Sequence, residues 1–160
     1  KAPHLVMSHA KSELFKNKLF AWLITKCGAF PVVRGAKDGE AIERAVNDIE
    51  KNRIFVIFPE GTRSKDGVIA RAKSGVALIA GKANAPVVPV CIMYGANGKK
   101  RDCTVAVGET ISPEEIAIED ITDRKRIKAV ASLITDNICA LQKQICEEYH
   151  VPVPGTEALL

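Results

Sequence analysis

Seven consecutive residues, Phe58-Pro59-Glu60-Gly61-Thr62-Arg63-Ser64, bring together a turn-forming glycine, a carboxylate, two hydroxyls and an arginine. They close the apolar run IFVIF (54–58), and in α/β sheets ligands collect beyond the carboxyl ends of strands. Gly61 permits close backbone approach, and Arg63 offers a phosphate two parallel N–H donors. Glu60 can orient that arginine or another donor. An ordinary polar turn closed by a Glu–Arg pair uses the same residues. Two more basic groups fall at comparable places: Arg34 follows AFPVV (29–33), and Lys73 precedes a helix starting near Ser74, whose first N–H groups favour an anion. The candidate anion site is therefore Arg34, Glu60, Gly61, Thr62, Arg63 and Lys73.

Other chemistries fit less well. Gly67-Val68-Ile69-Ala70-Arg71-Ala72-Lys73-Ser74 is one residue away from a P-loop, with Ala72 in place of the second glycine. A P-loop also leaves its strand at once, whereas residues 59–66 separate Phe58 from Gly67. Cys27, Cys91, Cys103, Cys139 and Cys146 make an odd count with no C-x-x-C pair, which suggests neither a disulfide framework nor a zinc knuckle. Cysteines inside apolar runs act as small buried hydrophobes, and a reducing, intracellular setting is the default. No metal or cofactor is expected.

These residues need elements to hold them. Leu, Phe, Trp and Lys without proline or glycine over 11–27, stopping at Gly28, predict one or two short helices. A strand follows at 29–33, then a helix over 40–52 with Ile42, Ala45, Val46 and Ile49 on one stripe. The five apolar residues 54–58 predict a strand covered on both faces. Ser74 is the expected N-cap of a helix over 74–85 whose small residues allow close approach to a sheet. Strands are expected over 86–94 and 103–108. Ser112-Pro113-Glu114-Glu115 carries an N-cap serine, a proline at the first helical position and a glutamate three after the cap. From about Thr122 to Tyr149, Ile127, Val130, Ile134, Ile138, Leu141 and Ile145 recur at spacings of three and four, an amphipathic helix closing over the sheet. The expected fold is a single α/β domain, a mixed or largely parallel sheet flanked by helices, over residues 1–150, with 151–160 as a loose tail.

The chain has 160 residues, 47% hydrophobic and 26% charged, enough for one globular core. No run approaches the roughly 18 apolar residues of a membrane span, and the first residues lack the pattern of a signal peptide. The net charge of +4 is unevenly spread, with seven basic groups against the single acid Glu13 in residues 1–37. That points to an anionic partner or to a solvated face. On a helix over 18–27, Leu19, Phe20, Leu23, Ile24 and Cys27 share a face while Lys18, Trp22 and Lys26 lie off it. Such a segment suits an anionic bilayer surface, or simply covers the sheet. Lys99-Lys100-Arg101 raises a nucleic-acid reading, but two tyrosines, one tryptophan and this modest charge give it little support, and no nucleic-acid partner is expected.

GAFPVVRG, FPEGTRS, KSGVALIA and APVVPV, in this order and spacing, resemble the glycerolipid acyltransferase superfamily, and most closely the bacterial 1-acyl-sn-glycerol-3-phosphate acyltransferases. The resemblance covers about Lys11 to Met93. It implies transfer of a fatty acyl group from acyl-coenzyme A or acyl carrier protein to the hydroxyl of lysophosphatidic acid, giving phosphatidic acid, at the cytoplasmic face of a membrane. It also implies that Arg34 and Glu60 to Arg63 bind the acceptor's phosphate, and that Pro86 to Val90 lie on the acyl-chain side.

One part of the family pattern is missing. Its histidine followed five positions later by aspartate takes the proton from the attacking hydroxyl, with the aspartate orienting the imidazole. Here His4, His9 and His150 are followed at that distance by His9, Leu14 and Gly155. The expectation is that the chain begins downstream of the pair, that no residue in it is catalytic, and that it transfers no acyl group alone. A noncatalytic lipid- or phosphate-binding domain on the same fold is the alternative.

Overall fold

The computed structural model describes residues 6–11, 29–32, 38–62, 64–99 and 102–156. Three strands, β1 (Val6–Lys11), β2 (Ala29–Val32) and β3 (Ile54–Val56), form a parallel sheet in the order β2-β1-β3. β4 (Val90–Tyr94) and β5 (Cys103–Val107) form an antiparallel pair. The helices are α1 (Asp38–Glu50), α2 (Ser74–Ala83), α3 (Pro113–Ile116) and α4 (Arg124–Tyr149). The α/β class expected from the alternating pattern is the one observed, with parallel and antiparallel strands in separate sheets. β1 had no apolar run to announce it, and it takes Lys11 from the helical segment expected over 11–27. The rest of that segment lies outside the described residues.

α4 organises the core. All six residues of its expected stripe, Ile127, Val130, Ile134, Ile138, Leu141 and Ile145, are buried, and the helix packs against α2, β4 and β5. Its start is fixed by Asp123, whose carboxylate accepts from the N–H groups of Lys125 at 2.9 Å and Arg126 at 3.0 Å. Its end is fixed by His150 in the left-handed conformation, after which the Val151 N–H returns to the Cys146 carbonyl at 3.0 Å. Residues 151–156 then lie along the turn at 67–68: a Cβ on Gly67 would stand 3.1 Å from Pro154, and one on Gly155 3.0 Å from Val68.

Three expectations are corrected. Ser74 is the first helical residue of α2, and Lys73 holds the N-cap position without a side-chain cap bond. The small residues of α2 serve mainly helix packing: α2 lies against α1 and α4, and a Cβ on Gly81 would meet Ile118 at 2.9 Å. Residues 54–58 are not covered on both faces, because Ile54, Val56 and Phe58 are exposed while Phe55 and Ile57 are half-buried. α1 packs against that strand, and the strand's side chains alternate between exposed and half-buried. At α3 the cap is as expected, with the Glu115 carboxylate accepting from the Ser112 N–H at 2.9 Å.

Candidate phosphate-binding site

Parallel pairing puts the carboxyl ends of β1, β2 and β3 at one edge of the sheet. From that edge the chain leaves β3 into residues 57–62, and the turn is closed by the Gly61 N–H donating to the Phe58 carbonyl at 3.1 Å. Gly61 has φ +71°, the left-handed region, which glycine occupies without the cost a side chain brings. A Cβ there would lie 3.8 Å from Cγ and 3.9 Å from Cε of Lys73, so the lysine stem runs alongside the turn. The Lys73 N–H donates to the Pro59 carbonyl at 2.9 Å, which fixes the start of α2 against the same turn.

Glu60 has a definite task. Its Oε2 accepts from the Ala70 N–H at 2.7 Å and so ties the two ends of the 60–70 loop together. This carboxylate shapes the loop, and the positive charge beside it comes from Lys73. Thr62 and Lys73 are exposed at the surface of the turn. Arg34 and Arg63 lie outside the described residues. Of the six candidate positions, the structure thus brings Glu60, Gly61, Thr62 and Lys73 to one corner.

The loop between Gly61 and α2 is held by residues with no motif of their own. Asp66 accepts from the Ser64 hydroxyl at 2.9 Å and the Val68 N–H at 3.1 Å, and these bonds, the hydroxyl's first, lower its pKa. From α4, Gln142 donates to the Gly67 carbonyl at 2.7 Å and Thr135 accepts from the Ala72 N–H at 3.0 Å. Arg71 donates to Ser132 on the same helix. Gln142 was visible in principle, as a polar residue on the α4 stripe, where burial demands a partner.

These bonds dispose of the P-loop reading. The N–H groups of Val68, Ala70, Ala72 and Lys73 are committed to Asp66, Glu60, Thr135 and Pro59, whereas a P-loop turns its backbone donors to a phosphate. The buried thiols of Cys91 and Cys146 have their pKa raised by desolvation, as apolar packing requires; Cys103 is exposed.

Known proteins share this chain's sequence pattern and fold. The family model described as Acyltransferase matches residues 1–93, a range containing every candidate site residue. The chain is 42% identical over 82 residues to a 1-acyl-sn-glycerol-3-phosphate acyltransferase of Streptococcus pneumoniae, covering 51% of this chain and 30% of that protein. It is 28% identical over 147 residues to the enzyme of that name from Bacillus subtilis, covering 89% and 72%. The crystal structure of the 1-acyl-sn-glycerophosphate (LPA) acyltransferase from Thermotoga maritima superposes with a TM-score of 0.58 at 23% identity, covering 86% of this chain and 57% of that one. The chain therefore spans between about a third and three quarters of these relatives. With residues 1–93 of its 160 matched by the family model, the chain belongs to the acyltransferase family.

Proposed function

We propose that this chain supplies the acceptor-binding part of a lysophosphatidic acid acyltransferase. The observation that carries this reading is the turn at Phe58–Thr62, at the carboxyl edge of a parallel sheet, with Lys73 alongside Gly61 at the start of α2. An ammonium beside a glycine turn and a helix N-terminus attracts and orients a phosphate monoester. Arg63, next after Thr62, and Arg34, two residues beyond the end of β2, are the further ligands.

In the reaction the free hydroxyl of lysophosphatidic acid attacks the thioester carbonyl of acyl-coenzyme A or acyl carrier protein. A C–O ester bond forms, the C–S bond breaks, and the hydroxyl proton passes to a base that returns it to the departing sulfur, which leaves as the thiol. This chain's residues hold the acceptor by its phosphate and so position the hydroxyl. No residue of this chain is assigned as the base, since none of its histidines has the aspartate partner. The protein acts as a peripheral component at the cytoplasmic face of an anionic membrane, where its acceptor resides. No described helix is long and apolar enough to cross a membrane.

Titration calorimetry with glycerol 3-phosphate tests the reading. Saturable binding to the chain is expected, weakened about tenfold or more in Lys73→Met and in Arg63→Ala, as loss of a charged hydrogen bond implies. Equal affinity for glycerol, or unchanged affinity in both variants, contradicts it. A noncatalytic binding domain would share this result and separate from the enzyme by showing no turnover in the full-length protein.

A further inference from the structure

The first turn of α4 goes against helix electrostatics. It holds Arg124, Lys125 and Arg126 with no acid among them, although a helix N-terminus favours negative charge and disfavours cations. Arg126 has a structural task, donating to the carbonyls of Ala117 at 2.9 Å and Glu115 at 2.8 Å. Arg124, Lys125 and, one turn on, Lys128 are exposed. Among the described residues no ion pair engages these three or Arg71. Positions that break a local rule without a structural return are where function is expected.

The cations form one row. Lys128 stands one helical turn beyond Arg124, and Ser132 one turn beyond Lys128, each step about 6 Å along the axis. Ser132 accepts from the Arg71 guanidinium, a neutral partner that leaves the arginine's charge uncompensated. The row continues along the 71–73 segment, where Arg71 and Lys73 are exposed and Ala72 between them is buried with its N–H on Thr135. Lys73 is the lysine whose stem runs beside Gly61. The row thus leads from the first turn of α4 to the corner proposed for the acceptor's phosphate, and Asp136, one turn beyond Ser132, ends it on the helix. Arg126, two residues from Lys128 and so on the far flank, lines a hollow with Glu114, Glu119, Asp120 and Asp123. One flank of α4 is basic and the other acidic.

We propose that this row docks an acidic helix of a protein that carries the acyl donor. The proposal rests on the reading of the 58–62 turn as the acceptor site, and it makes the donor a carrier-bound thioester rather than a free coenzyme. Carboxylates three and four residues apart on a partner helix repeat at the spacing of Arg124, Lys125 and Lys128, so two such helices pair charge to charge. A coenzyme's nucleotide needs a concave pocket with apolar or aromatic walls. This row stands on a convex helix surface, and its neighbours Ala129, Ser132 and Thr135 offer no ring. A bilayer surface calls for large apolar side chains beside the cations, and these neighbours are small. The acidic flank repels the same partner and so fixes the side of α4 that it takes. A carrier seated on the basic flank brings its tethered thioester beside the corner at Lys73.

Fluorescence anisotropy of a dye-labelled bacterial holo-acyl carrier protein titrated with the full chain tests this. Saturable binding is expected at low ionic strength, weakening as salt is added. Lys125→Glu/Lys128→Glu is expected to bind at least about tenfold more weakly and Lys125→Ala/Lys128→Ala about threefold, while Lys143→Glu, farther along α4 where Lys143 pairs with Glu147, stays within about twofold. Calorimetry with glycerol 3-phosphate on the same samples reads the acceptor corner separately and is expected to give wild-type affinity in both double variants. Glycerol 3-phosphate binding without carrier binding overturns the docking surface and leaves the acceptor reading standing. Carrier binding that needs the two lysines, with no glycerol 3-phosphate binding, does the reverse. Carrier affinity unchanged in both double variants, an equal loss in Lys143→Glu, or lysine-dependent binding of anionic vesicles in place of the carrier also overturns the proposal.

Discussion

Glu60 shows how a residue of the proposed phosphate-binding turn can act through the backbone of its own loop. Its carboxylate is occupied by the Ala70 N–H, so its contribution is the shape of the loop that presents Gly61 and Lys73. Glu60→Gln keeps an acceptor at the same length but loses the charge that strengthens the bond. Hydrogen exchange at the Ala70 amide is therefore expected to speed up by about tenfold in Glu60→Gln and more in Glu60→Ala, while the amides of α4 keep their protection. Exchange at Ala70 unchanged in both variants would remove this role. The sequence pointed to the carboxylate but not to its partner, since a backbone amide ten residues on leaves no mark in a residue pattern.

At the scale of elements, α4 is where pattern and packing agree most closely. Its stripe was legible because long helices repeat the same requirement many times, and each of the six apolar positions went to the core. Ile134→Ala is expected to destabilise the fold by about 2–5 kcal/mol in denaturant unfolding, the usual cost of an unfilled core isoleucine. A loss under about 0.5 kcal/mol would show that α4 does not organise the core. The strands were less legible, for a physical reason. A run such as IFVIF states that a segment is apolar, not how many sides are covered, and the exposed faces of β3, β4 and β5 appear only once the helices are placed. β1 was missed because Ser8, His9 and Lys11 break any apolar run, although pairing on both sides makes it the central strand of its sheet.

Across the whole molecule, sheet and helices converge on one corner. The parallel strands send their carboxyl ends to a single edge, α2 starts against the turn that leaves β3, and α4 pins the loop between them through Thr135 and Gln142. The site is thus held from outside the 1–93 range that carries its motifs. That is why the motif could be read from sequence while the bonds that hold its loop could not. The most direct measurement is amide chemical-shift mapping of the chain titrated with glycerol 3-phosphate. The account predicts saturable shifts at Gly61, Thr62 and the first residues of α2, reduced in Lys73→Met. Shifts confined to other surfaces, or shifts at Gly61 that Lys73→Met leaves unchanged, would contradict it.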